Sequence, residues 1–281
     1  MKSLKYLAIV LVALSLAACG DDEPNNNYTR DFNMIYPQLE AGHKFISKIE
    51  KNFDNGARSV TTVDYDGDHV KHINVISYDK GGSLLNEEDV YLDYKNGAII
   101  CDKSIQDKTY AFEVNGQGAI TKLSDVSTGR TLSALRYNGA NQIEEAQTVT
   151  PSSTAVTKMD WQNGNLMQWV ESAVSKLDSV DYVYSAASMP NKGGIDLVNN
   201  QAFTFVTMVC SVLRNAGLFG ATSANLPIAF KHGLDYSTEN PATGEVSQKY
   251  YAITYEFDAQ GYVKSYTTTE SPKYTVRFTY K

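Results

Sequence analysis

The stretch "MDWQNGNLMQWV", residues 159–170, decides the fold. It reads as a strand that ends in an aromatic residue, Trp161, followed by a turn at Asn163-Gly164 and a returning strand. Asn-Gly supplies the positive φ angles that a two-residue hairpin turn requires, and glycine adopts them without a Cβ penalty. Asn-Gly recurs at Asn55-Gly56, Asn96-Gly97, Asn115-Gly116 and Asn138-Gly139, with Asp66-Gly67 beside them. Most of these turns follow an aromatic residue, as in "VDYDGDHVKHI", "LDYKNGAII", "FEVNGQGAITKL", "LRYNGANQIEEA" and "YEFDAQGYVKSY". The unit is an internal repeat. Its anchors Phe112, Tyr137 and Trp161 are spaced by 25 and 24 residues, about one hairpin with its turns. Tyr and Phe occur 19 and 10 times, and Thr, Val and Ile are frequent, a composition that favours a half-buried pleated sheet. A meander of antiparallel hairpins is expected over a single β-rich domain, residues 31–281.

Several ordered motifs accompany the hairpins: "DWQNGNL" (160–166), "NKGGIDL" (191–197) and "LFGATSANLP" (218–227). With the N-terminal "LAACGDDE" they resemble a Bacteroidetes lipoprotein family of unknown function described as having a porin-like fold, and the hairpins resemble YD-type repeats. The resemblance spans roughly residues 45–281. It implies a strongly curved antiparallel sheet and brings no catalytic residues.

One segment breaks the strand pattern. In "NQAFTFVTMVCSVLRNAGLF", residues 200–219, Phe203, Val206, Val209, Cys210 and Leu213 follow helical spacing, and Gly217 and Gly220 offer stops. Polar residues from Asn200 to Asn215 make it unsuited to lipid, so the expected architecture is a mostly β half-barrel with this helix filling the concave face. The loops at 191–194 and 222–227 then cross one rim, where a pocket is expected. A lipid-embedded barrel is the rival, suggested by the final "YTVRFTYK"; the terminal Lys281, the expected anchor and the polar helix count against it.

The N-terminus carries the address. Lys2 and Lys5 precede an apolar run, residues 6–18, that is too short for a membrane span of roughly 20 residues and fits the core of a signal peptide. Leu16-Ala17-Ala18-Cys19 resembles a lipobox, which makes residues 1–18 a lipoprotein signal peptide and Cys19 the lipidated N-terminus. Residues 19–30 read as a flexible tether, because Gly20 to Asn27 offers no apolar area to bury. Asp21, Asp22 and Glu23 resemble the acidic export signal of Bacteroidetes lipoproteins, so the expected site is the outer membrane, lipid-anchored and facing the cell surface, with the periplasmic face as alternative.

Charge excludes one partner class. The formal net charge is −7, and loss of Lys2 and Lys5 with the signal peptide makes it more negative. No basic run offsets it, so nucleic acid is not an expected partner. Besides Cys19 only Cys101 and Cys210 remain, which leaves a disulfide between them open. Asp178-Ser179-Val180 resembles an O-glycosylation acceptor and is equally open at Ser179.

No catalytic template is met: there is no nucleophile elbow, zinc-protease helix, dinucleotide loop or phosphate loop. His69 and His72 fall on opposite strand faces and cannot share a metal, and "DYDGDHV" lacks the spacing and terminal Glu of a calcium loop. Glu87-Glu88-Asp89 and Glu144-Glu145 read as solvated strand residues. No enzyme, cofactor or metal is expected. The expected function is a non-catalytic binding module for a glycan, peptide or protein, with an assembly subunit of an outer-membrane complex as alternative and a hydrolase behind both. Trp169 and Tyr266, each well beyond its turn on a returning arm, are the candidate ligand-contacting residues.

Overall fold

In a strand, apolar side chains at every second position gather on one face. "EEDVYLDYK" shows what this does here: Val90, Leu92 and Tyr94 are 0%, 2% and 1% exposed, while Asp89, Tyr91 and Asp93 between them face outward. The computed structural model describes residues 37, 39, 41–95, 98–104, 108–149, 153–173, 176–195, 207–235 and 249–281. Residues 1–30, with Cys19, Asp21, Asp22 and Glu23, lie outside the described residues.

The strands are β1 (Ile46–Phe53), β2 (Arg58–Asp66), β3 (His69–Tyr78), β4 (Leu84–Lys95), β5 (Ala98–Ser104), β6 (Lys108–Val114), β7 (Ile120–Asp125) and β8 (Thr131–Tyr137). They continue as β9 (Ile143–Val149), β10 (Thr154–Gln162), β11 (Asn165–Ala173), β12 (Lys176–Val183), β13 (Ala229–Asp235), β14 (Lys249–Phe257), β15 (Val263–Thr268) and β16 (Tyr274–Tyr280). Each pairs with its chain neighbours, and β1 pairs antiparallel with β16 from Ile46↔Tyr280 to Phe53↔Tyr274. The expected meander is present, but the expected half-barrel is corrected to a closed barrel of 16 strands. Closure satisfies the last ladder and removes the edges at which an open sheet invites aggregation.

A 16-stranded barrel can enclose a water-filled channel. Here the interior is a continuous apolar cluster, running from Ile46 and Ile73 through Leu92, Ile99, Phe112 and Leu123 to Trp169, Val180 and Val276. The outer wall is polar: Asp64, Arg136, Lys158, Asp160, Lys231, Glu256 and Arg277 are all exposed along it. This inverts the distribution of a lipid-embedded barrel, whose wall is apolar and lumen polar.

One mouth is plugged. The helix α1 (Thr207–Asn215) buries Val212 and Leu213 completely, and Gly217, at φ 77°, ends it, with Leu218 N–H donating to Leu213 C=O at 2.9 Å. It ends at Asn215, short of the expected Phe219, while 200–206 lie outside the described residues, and it packs Val212 and Leu213 into the core at one mouth of the barrel where a filling of the concave face was expected. After it, "LFGATSANLP" runs as a strap over three hairpins. Ile120 N–H donates to Leu218 C=O (2.7 Å), Ala221 N–H to Asn141 C=O (2.7 Å) and Ala224 N–H to Gly164 C=O (3.0 Å). Asn215, 1% exposed, ties the helix end to two more segments: its Oδ1 accepts Ile46 N–H at 2.8 Å and its Nδ2 donates to Gly193 C=O at 2.6 Å.

The aromatic residues of the repeat have a common task at this plugged end. Tyr65, Tyr137, Tyr184 and Tyr280 donate their hydroxyls, and Trp161 its indole N–H, to the carbonyls of Ile46, Ile120, Leu166, Val263 and Ile143 respectively, at 2.5–2.9 Å. In each case a residue at the end of one strand grips the first turn of the strand before it. Tyr255 does the same to Pro227 C=O at 2.7 Å, just ahead of β13. Burial pushes the hydroxyls of Tyr65, Tyr137, Tyr255 and Tyr280 well above their ordinary pKa.

The turn chemistry is as expected at Asn163-Gly164, where both residues have positive φ (50° and 77°). At Asn115-Gly116 and Asn138-Gly139 it differs. There the asparagine opens a longer loop, and positive φ falls three residues later, on Gly118 (79°) and Asn141 (58°). Asn115 Oδ1 accepts the Gln117 and Ala119 N–H groups, and Asn138 Oδ1 those of Ala140 and Gln142, at 2.9–3.1 Å. Asp258 repeats this at Gln260 and Tyr262, so these are bulged loops organised by an Asx side chain.

Candidate ligand pocket at the open end

Among the described residues, the turns β1–β2, β3–β4, β7–β8 and β15–β16 bound the mouth opposite the plug. Alternation along β11 to β16 aims a set of side chains inward below it, and the strand register brings them together: Trp169↔Val180, Val180↔His232, Ile253↔Thr268 and Thr268↔Tyr274 are direct cross-strand pairs. They line a pocket whose empty space, open mouth included, is about 530 Å³. Trp169, Tyr182, Phe230 and Tyr266 lie deeper in it; Asp178, Thr268, Glu270 and Tyr274 lie nearer the mouth.

Trp169 and Tyr266 are thus on one pocket, although neither is an exposed platform of the expected kind. Trp169 is 2% exposed, and its Nε1–H finds no acceptor among the described residues. Tyr266 is half-buried, with ring centroids of Tyr255, Phe278 and Tyr274 at 6.2, 6.0 and 6.4 Å. The pocket is also not at the rim where it was expected, because the 191–194 and 222–227 loops belong to the plugged end.

The polar groups beside them were not legible as a site. Asp178 is 0% exposed and faces His232, whose Nε2 stands 2.8 Å from Asp178 Oδ1. A buried carboxylate is costly unless it is hydrogen-bonded, and the half-buried imidazole supplies that bond. Glu171, 5% exposed and paired in register with Asp178, accepts from Thr157 Oγ1 at 3.4 Å. At the mouth, Lys51 Nζ lies 3.9 Å from the Tyr274 ring centroid and 4.9 Å from that of Phe53. Burial lowers its pKa, an effect that attraction to Glu270 partly offsets. The available signal was phase: Asp178 alternates with Val180 and Tyr182, and His232 with Phe230, so polar residues occupy positions the pattern reserves for the core.

The other candidates separate. His72 faces outward between Asp64 (3.1 Å) and Asp89 (2.8 Å), stacked on Tyr91, whereas His69 packs edge-on against Tyr94 inside. The two histidines are on opposite faces, as the strand spacing demands, and no group of three or more metal-binding side chains suited to an ion occurs among the described residues. Cys101 is fully buried in β5, and the Cys210 side chain lies outside the described residues. Ser179 is 8% exposed within β12, hydrogen-bonded in register between Val170 and Gly233.

No family model and no curated protein matches the chain. Its fold is similar to that of solved structures. A porin-like protein from Bacteroides uniformis superposes with a TM-score of 0.64 at 15% identity, covering 84% of this chain and 98% of that one. A porin-like protein from Bacteroides vulgatus gives 0.51 at 12% identity, covering 85% and 99%. At these identities the likeness establishes a shared porin-like barrel, reached here with a filled interior and a polar wall.

Proposed function

We propose that the chain is a lipid-anchored outer-membrane protein, displayed at the cell surface, whose barrel is a non-catalytic binding module. One mouth is sealed by α1 and the strap, and the other opens on a cup that holds a small ligand or the end of a larger one. The observation that carries this reading is the convergence of Trp169, Tyr266 and the Asp178–His232 pair on one pocket. The polar wall supports anchoring over embedding, since each Lys or Arg facing lipid at the bilayer midplane costs about 2–4 kcal/mol. A screen of oligosaccharides, dipeptides and small amines by thermal shift tests the cup. A ligand that stabilises the parent should lose its effect in Thr268→Trp, which fills the pocket. Equal stabilisation of both proteins, or no stabilising ligand in any class, would remove the cup from the account.

A second reading has its own observation. Leu84, Leu85, Val126, Leu234 and Tyr250, 39–66% exposed, lie toward the open end, against Leu39 and Phe257, 37% and 40% exposed, at the plugged end. Exposed apolar side chains at one end suit a contact with another protein, which keeps the assembly-subunit alternative in view.

A further inference from the structure

Barrel closure removes sheet edges only where neighbouring strands reach the same height, and at one place on the open mouth they do not. β4 is paired with β3 from His72↔Tyr91 up to Tyr78↔Leu84, and β2 backs β3 over that whole height, to Arg58↔Tyr78. On the other side of β4 the ladder with β5 stops at Tyr91↔Asp102. From Leu84 to Val90, β4 is therefore paired on one side only among the described residues, over about 20 Å at ~3.4 Å per residue. Exposure marks the same stretch. Leu84 and Leu85 are 57% and 66% exposed, and Asn86 and Glu87, which point to opposite faces, are both exposed as well. We infer that this edge is a docking site for another protein, which adds an extended basic segment to β4 as a further strand. The inference goes beyond the cup and does not depend on it.

Three features select that occupant. An unpaired edge presents backbone N–H and C=O groups in alternation, which an extended chain satisfies by strand addition. Charge alone would suffice to guard such an edge, but this one ends in two well-exposed leucines, which offer apolar area to a partner. The charges then choose the partner's sequence. Glu87, Glu88 and Asp89 follow one another along the edge, and cross-strand neighbours attract when opposite in sign and destabilise when alike. Two copies of this chain pairing antiparallel here would bring Glu87 opposite Glu87 or Glu88 opposite Glu88, so the chain is a poor partner for itself. Asp89 accepts from His72 Nε2 at 2.8 Å and Asn74 Nδ2 at 3.0 Å, whereas Glu87 and Glu88 accept from the neutral amides of Asn74 and Asn86. Lys or Arg on an incoming strand suits Glu87 and Glu88, and apolar residues beyond them reach Leu85 and Leu84. In antiparallel addition, the commoner arrangement, the basic residues of the segment precede its apolar ones.

The probe is a synthetic peptide, Val-Thr-Arg-Lys-Thr-Val-Val, blocked at both ends and titrated into the full-chain protein. Saturable binding is expected, with slowed hydrogen exchange at alternate amides between Leu84 and Val90. A contact by charge alone would not slow them. Glu87→Lys combined with Glu88→Lys should weaken binding about tenfold or more while far-UV circular dichroism stays unchanged. The same peptide with Glu in place of its Arg and Lys, or with Pro at its centre, should not bind, and these changes leave the protein itself untouched. No saturable binding, equal binding of the acidic or Pro-containing peptide, or binding that slows no β4 amide would overturn the inference. Self-association of the parent chain that the paired Lys substitutions abolish would overturn it too, by giving the edge to a second copy. A failed ligand screen of the cup changes none of these outcomes, so the two readings fall separately.

Discussion

At Gly220 a Cβ would lie 2.3 Å from the Asn141 carbonyl oxygen and 2.8 Å from the Tyr137 ring, and the backbone there has φ 72°. Both obstacles are rigid, because Asn141 C=O also accepts the Ala221 N–H and Tyr137 is clamped to Ile120. Gly164 also has positive φ, but its Cβ would meet only Ala224 Cβ at 3.5 Å. Gly164→Val should therefore cost on the order of 1–3 kcal/mol from backbone strain, and Gly220→Val should cost more than Gly164→Val. Denaturant unfolding of the two variants side by side checks the order; a milder Gly220→Val would mean that the strap does not press on the β8–β9 turn. From sequence Gly164 read as a turn glycine and Gly220 as a helix stop, because local chemistry reports a turn or a stop and not what packs against it. The same limit hid Asp178 and His232: each breaks the alternation only by sitting at a core-facing position, and only the register of β12 with β13 brings the two together.

Among elements, the hairpin repeat was legible because both of its signals are local: a turn residue and the aromatic before it. What the aromatics do was not, since the acceptor carbonyl is 17–19 residues away in five of the six clamps. Removing one hydroxyl, as in Tyr65→Phe, should destabilise by about 1–3 kcal/mol, since it leaves the Ile46 carbonyl without this donor in a half-buried site. The clamps also set an alkaline limit. In the unfolded chain tyrosine ionises near 10, whereas buried Tyr65, Tyr137, Tyr255 and Tyr280 are held neutral above it. Their contribution is complete below about pH 10 and is lost as pH rises from there toward their folded values. Phenolate absorbance should then develop in two stages, with these tyrosines titrating only as near-UV circular dichroism is lost. Complete titration with the fold intact would contradict their burial. The helix end was overread for a related reason: 3.6-residue periodicity marks a face to bury but not where it stops, and the α1 end is set by Gly217 and Asn215 meeting the mouth of the barrel.

For the whole molecule, strand patterning predicts curvature but not closure, since a half-barrel and a barrel share every hairpin and differ only in the β1–β16 ladder between residues over 220 apart in the chain. That pairing sets the function proposed here, because closure with an apolar interior leaves a polar wall, one plug and one cup. On the anchoring reading, replacing Asp21, Asp22 and Glu23 together by Ala should preserve acylation and reduce digestion by external protease on intact cells. Unchanged digestion would reduce these charges to a linker. On the same reading the barrel faces water on its outer wall and is held to the membrane by Cys19 alone. Its most direct test is detergent-free fractionation of cells producing the full chain with Cys19→Ser. Loss of lipid labelling and recovery of folded barrel in the soluble fraction are expected; a folded Cys19→Ser protein that stays with the membrane until detergent is added would contradict anchoring by Cys19 alone.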